Sequence, residues 1–146
     1  MSAVLLFHGP GLVSRLIRWQ TRSVYSHAAI ELAPGSDLCI ESREFQGVRF
    51  AAIDRTRCDR FEVEGMTPER WRDAIAFCER ELGCGYDYRA VFRFLTRRRV
   101  PSNSRWFCSE LVFAALASVD VHLLRRIPAS EVSPGDLALS PLLNAA

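Results

Sequence analysis

Apolar and polar positions along this chain change period several times. Val4 to Phe7 is a short apolar run that stops at His8-Gly9-Pro10-Gly11, the pattern of a strand entering a turn. Leu12, Leu16, Ile17 and Trp19 then recur at near-helical spacing and predict a short amphipathic helix. YSHAAIEL (25–32) has the apolar, β-favouring character of a strand; Pro34-Gly35-Ser36-Asp37 breaks it before a second run, Leu38 to Phe45, so the two form a hairpin. A third strand is expected from Gly47 to about Ile53 and a fourth over Arg60 to Gly65. With the opening run, these make one antiparallel sheet of four or five strands.

Helical spacing returns after Gly65. Thr67 suits an N-cap with Pro68 at the first helical position, and Trp71, Ile75, Cys78 and Leu82 follow three or four apart until Gly83. Gly85-Tyr86-Asp87-Tyr88 leads to a second short helix over 89–95 and a basic loop, TRRRVPSNS. A third helix is expected from about Arg105 to Ser118, where LVFAALA is apolar all round and must be buried. The proline-broken tail, SPGDLALSPLL, reads as irregular structure wrapping the surface. There is no internal repeat and no low-complexity linker, so residues 1–146 read as one domain.

Composition narrows the chemistry mainly by exclusion. The 146 residues are 49% hydrophobic and 25% charged, enough for one core. A formal net charge of +2, from 19 basic and 17 acidic residues, gives no reason to expect a nucleic-acid or anionic-membrane partner. All 19 basic residues are arginine, which excludes a lysine nucleophile, Schiff base or phosphate-loop lysine. The five cysteines (Cys39, Cys58, Cys78, Cys84, Cys108) contain no C-x-x-C pair and are odd in number, so neither a zinc ribbon nor a disulfide framework is indicated. No cofactor or metal is expected from the Cys/His spacing. MSAVLLFHGPGLVSRL lacks the basic region and cleavage site of a signal peptide, and no apolar stretch reaches membrane-spanning length; a cytoplasmic location is the default, with export by a phage or a dedicated secretion system as the alternative.

Cys108 is the cysteine set at the beginning of a hydrophobic helix. A helix's first turn offers free N–H groups and the positive end of the macrodipole, which stabilise a thiolate and can hydrogen-bond a developing oxyanion. Most cysteines are simply small buried hydrophobes, and Cys39, Cys58 and Cys78 are read that way. A thiolate nucleophile needs a base. His27 lies mid-strand beside small alanines, whereas His8 sits in a Gly-Pro turn and His122 follows the buried helix. A hairpin centred on Pro34 pairs residues whose numbers sum to 68, which places Glu41 opposite His27 on one face, while a one-residue slip would turn it away. Glu31 shares that face but lies too far along the strand to touch His27. The constellation is Cys108 as nucleophile, His27 as general base and later acid, and Glu41 orienting His27.

The order of Y-S-H-A-A-I-E, an acidic residue on the next strand, a later G-x-Y-D and finally W-F-C-S-E-L-V resembles the circularly permuted NlpC-type papain-like cysteine peptidases, the YiiX-like group, which is related to lecithin:retinol acyltransferase-like proteins. Ordinary papain-like enzymes carry the cysteine helix before the histidine strand; here, as in the permuted group, the order is reversed. The resemblance runs from LLFHGPGLVSRLIRW through YSHAAIEL and FCSELVFAAL to SPGDLALSP. It implies an α+β papain-like domain with a central antiparallel sheet or partial barrel against helices, and catalytic residues Cys108, His27 and, at a position that varies in kind, Glu41. Tyr86 matches a tyrosine ahead of the cysteine helix and is expected to line the site; Tyr25 is a candidate oxyanion donor.

The expected activity is hydrolysis or transfer of an acyl group through an acyl-cysteine intermediate. The partner is a peptide or acyl-group substrate: cell-wall peptides first, by resemblance, then lipid esters. A catalytically silent binding module and a delivered effector are the rival readings. Glu110 is read as a cap on its own helix, Arg97-Arg98-Arg99 as solvated surface, and Gly9-Pro10-Gly11 as a turn without the context of a phosphate loop.

Overall fold

The computed structural model describes residues 1–87 and 105–146. The helix expected over 89–95 and the arginine run at 97–99 lie outside the described residues. The elements are β1 (Ala3–Phe7), α1 (Leu12–Thr21), β2 (His27–Glu31), β3 (Leu38–Arg43), β4 (Gly47–Ala52), β5 (Cys58–Val63), α2 (Pro68–Arg80), β6 (Gly85–Tyr86), β7 (Arg105–Trp106), α3 (Cys108–Ala117), α4 (Pro134–Leu137) and β8 (Leu143–Ala145). The architecture is α+β.

Six strands form one antiparallel sheet in the order β4-β3-β2-β1-β5-β8, and β6 pairs with β7 in parallel. Alternation assigns each strand's two faces. Val4, Leu6, Ala28, Ile30, Ile40, Val48 and Val63 face α2 and α3, meeting Trp71, Ile75, Leu111, Val112 and Leu116 in the main core. On the other face, Ala51, Ile53 and Cys58 pack against the fully buried Leu5, Ala29 and Cys39. That interior also buries Glu31, which accepts two hydrogen bonds from Arg60, at 3.0 and 3.1 Å. A buried carboxylate is tolerated only when paired in this way.

The helix signals act locally as expected. The Thr67 hydroxyl accepts from the Arg70 N–H at 3.3 Å with Pro68 at N1, and Trp71 Nε1 donates to the Glu31 carbonyl at 3.0 Å, pinning α2 to β2. Helix α3 is buried nearly all round; each of its core leucines and valines contributes about 1.5–3 kcal/mol relative to exposure.

Two expectations fail. The tail is not irregular: Ser133 caps α4, and β8 adds an edge strand to β5. Helix α3 begins at Cys108 rather than near Arg105, because Arg105 and Trp106 are drawn into the β6–β7 pair and the Trp106 carbonyl accepts from Ser42 Oγ at 2.6 Å.

Candidate active site

The late start of α3 makes Cys108 its first helical residue. Phe107, in extended conformation (φ −79°, ψ 151°), is the N-cap, and its N–H donates to the Glu110 carboxylate at 3.4 Å. Glu110 is thus a cap, as its spacing implied. Cys108 is buried with Ile17, Tyr86 and Phe107, and its thiol lies close enough to the His27 ring to favour the ring's charged form.

His27 opens β2, 12% exposed, and its Nε2 donates to Glu41 Oε2 at 2.6 Å. The expected register does not hold. Glu41 pairs with Ala29 and Ile40 with Ile30, so paired numbers sum to 70 rather than 68. The slip is two residues, and the side-chain period of a strand is two, so Glu41 stays on the His27 face as a diagonal neighbour. A slip of one would have removed it.

Glu41 is 2% exposed and has further partners that the sequence reading missed. Its Oε1 accepts from Arg49 Nη2 at 2.9 Å and Nε at 3.1 Å, and Arg43 Nη1 lies 3.8 Å away. Arg49 is directly opposite Glu41 in the β3–β4 pair. Alternation across the second hairpin would have placed it there. Burial opposes ionisation of Glu41, but the His27 hydrogen bond and charge and the Arg49 and Arg43 cations outweigh it and lower the carboxyl to about 2. Burial likewise opposes the His27 imidazolium, and hydrogen bonds and charge from Cys108 and Glu41 overcome it, raising His27 to about 10. The histidine is held between a sulfur and a buried carboxylate that both favour its charged form.

The other cysteines differ. All five are free thiols; burial, with Glu41 and Glu81 adding to it respectively, pushes Cys39 and Cys78 up to about 12, and Cys58 and Cys84 are raised as well.

His27, Glu41 and Tyr86 line a cavity of about 110 Å³, together with Val13 and Ile17 of α1 and His8 from the preceding turn. At roughly 30 Å³ per water, it holds a few water molecules or one small group. Tyr86 therefore sits at the site, its ring 5.7 Å from Phe107. Tyr25 does not serve as the expected oxyanion donor. Its hydroxyl donates to Asp59 Oδ2 at 2.7 Å, and burial followed by Asp59 raises the phenol to about 12. Its one proton is committed to a carboxylate that His8 Nε2 also contacts, at 3.1 Å.

The fold and the side chains define an α+β protein that places a helix-terminal cysteine, a strand histidine and a buried glutamate in contact. No family model and no curated protein matches the sequence. Among solved structures, the chain is similar to the metalloprotein YiiX from Escherichia coli O157:H7, with a TM-score of 0.78 and 18% identity over 99% of this chain and 94% of that one. The chain has a YiiX-like fold. Among the described residues, no three His, Cys, Asp or Glu side chains gather as a metal-ligand group. His27, one of two histidines lining the cavity, is engaged by Glu41 and lies beside Cys108.

Proposed function

We infer that the chain is a thiol-dependent acyl hydrolase or acyltransferase. The observation that carries this reading is the placement of His27 between Cys108 at a helix N-terminus and the buried Glu41. Cys108 Sγ attacks an acyl carbonyl carbon, and N–H groups of the first turn of α3 face the oxygen as it gains charge. The tetrahedral adduct collapses to an acyl-cysteine; His27 passes its proton to the departing amine or alcohol. Water or an acceptor alcohol or amine then gives a proton back to His27, attacks the acyl carbon and releases Cys108. Glu41 keeps Nε2 protonated and the ring oriented, leaving the other ring nitrogen for the thiol. Cell-wall peptides are the first class to test and lipid esters the second, both on the family resemblance.

Alkylation with iodoacetamide near neutral pH, with the labelled cysteine located by mass spectrometry, tests the pair. Cys108 is expected to react first, and His27→Ala to slow it at least tenfold. Labelling of Cys58 or Cys84 ahead of Cys108, or no effect of His27→Ala, overturns the reading. Turnover of peptidoglycan fragments, short peptides or acyl esters, lost in Cys108→Ser, then identifies the bond; a protein with a reactive Cys108 and no turnover of any of them is a binding module instead.

A further inference from the structure

Two histidines line the candidate active-site cavity, and the mechanism uses one of them. His8 follows β1 directly, one residue past Phe7, which pairs with His27 across β1 and β2. Its ring is held much as the His27 ring is. His8 Nε2 meets Asp59 Oδ2 at 3.1 Å, and the Tyr25 hydroxyl donates to the same oxygen at 2.7 Å. The Tyr25 ring lies 5.2 Å from the His8 ring, and the His8 N–H donates to the Arg57 carbonyl at 2.9 Å. Because the Asp59 carboxylate can only accept, a neutral His8 imidazole carries its proton on Nε2 and keeps Nδ1 as an acceptor. Nδ1 has no partner among the described residues. His8 is 39% exposed against 12% for His27, so it stands on the solvent side of the cavity.

We propose that His8 is a catalytic residue for deacylation: its Nδ1 holds the water that attacks acyl-Cys108, with Asp59 and Tyr25 as positioning residues that fix the ring. The role rests on the thiol acyl-transfer reading above. One proton of the water passes to His27 as the oxygen bonds to the acyl carbon, and the second stays on that oxygen, donated to His8 Nδ1. The C–S bond then breaks, the sulfur leaves with the electron pair beside the His27 imidazolium, and the free acid departs. An alcohol has no second proton to give, so the pair of rings suits hydrolysis over transfer to an alcohol. The cavity of about 110 Å³, at roughly 30 Å³ per water, confines the nucleophile to the neighbourhood of both rings. Among the carboxylates on its wall, Glu41 is engaged by His27 and Arg49, and Asp54 by Thr56. Glu44, between β3 and β4, has no partner among the described residues and is the rival for the water.

A single turnover of p-nitrophenyl acetate, with the full chain in excess and acid quench at set times, separates the two halves of the reaction. Nitrophenol release reads acylation, and the decay of acetyl-Cys108 by intact-mass spectrometry reads deacylation. His8→Ala is expected to leave the acylation rate within twofold and to lengthen the life of acetyl-Cys108 at least fivefold. Unchanged acylation also verifies the fold around Cys108. His8→Asn, whose amide oxygen falls near the place of Nδ1, should recover part of the loss, and Asp59→Asn should lengthen the lifetime less than His8→Ala does. A His8→Ala lifetime less than fivefold longer, acylation slowed as much as deacylation, or an equal lengthening in Glu44→Gln would overturn the proposal. If wild-type Cys108 takes up no acetyl group, or His27→Ala takes it up equally fast, the acyl-transfer reading falls and this one with it. Acetylation that needs both residues, with a lifetime indifferent to His8, overturns this inference alone.

Discussion

Replacing Glu41 with glutamine keeps the shape of the side chain beside His27 and removes its charge. In the wild type, one carboxylate oxygen accepts from His27 at 2.6 Å while the other takes both donors of Arg49. A hydrogen bond to a charged group is worth about 1.5–3 kcal/mol and a neutral one about 0.5–1.5 kcal/mol, so the substitution costs the imidazolium about 1–2 kcal/mol. At 1.36 kcal/mol per pH unit, His27 should titrate about one unit lower than its raised value of about 10. It should not return to 6.5, because Cys108 still faces the ring. Arg49 is more than one-third exposed, and water can take over its donors, so it adds little to the loss. Histidine-ring NMR reads the shift directly, with His27 assigned by its loss in His27→Ala, and the alkaline limb of Cys108 alkylation should move with it. A Glu41→Gln protein that is folded by urea titration, yet titrates with the wild type or above it, refutes the assignment of Glu41 as one of the two groups that hold His27 charged.

The same two groups set the pH dependence of stability. The Glu41 contribution is complete above its unfolded value of 4.5 and is lost as pH falls through about 2; the His27 contribution is complete below 6.5 and is lost as pH rises through about 10. The urea midpoint should therefore be highest between these unfolded values, and a midpoint that keeps climbing on the alkaline side counts against the pair. Gly47 has φ +68°, and a Cβ there would lie 2.2 Å from the Cys84 carbonyl oxygen, whereas Gly65 has φ +70° and open space. Urea denaturation should show Gly65→Ala costing about 1 kcal/mol for conformation and Gly47→Ala roughly 2 kcal/mol or more; equal losses would mean the contact is relieved cheaply. Ser42→Ala removes the bond that anchors Trp106 two residues before Cys108, so it should cost about 1 kcal/mol and slow Cys108 alkylation. Unchanged alkylation would show that this strand does not position the thiol.

Local rules account for the elements that the sequence made legible. The Thr67-Pro68 start of α2, the Pro34-Gly35 break and the uniform apolarity of α3 each act within a few residues, and each appears in the structure. What depends on partners far along the chain was not legible. Two residues assigned to a helix became β7 because Ser42 and β6 claim their backbone, and the end of the tail became a strand because the edge of β5 was open to it. The His27–Glu41 contact could be derived from a wrong register because only the parity of the pairing decides the face. Two residues of error cost the direct opposition and kept the contact. Tyr25 failed for a reason that no spacing rule carries: its partner Asp59 lies on β5, which joins the sheet on the far side of β1.

Helix α1 shows where periodicity stops short of direction. Leu12, Leu16, Ile17 and Trp19 predict a helix, and the helix is there. A hydrophobic period, though, reports only that apolar residues share an arc, not how much of that arc is covered. On α1 Val13, Leu16 and Ile17 pack toward Cys108, whereas Leu12 and Trp19 stay exposed. Had burial been the only demand on α1, a rotation covering Leu12 and Trp19 as well would have buried more apolar area at the same backbone cost. The loop before it fixes the rotation instead: Gly9 N–H donates to Ser26 Oγ at 2.9 Å, tying the start of α1 to the residue next to His27. The placement of α1 therefore follows the candidate site, and Leu12 and Trp19 are left exposed as a result.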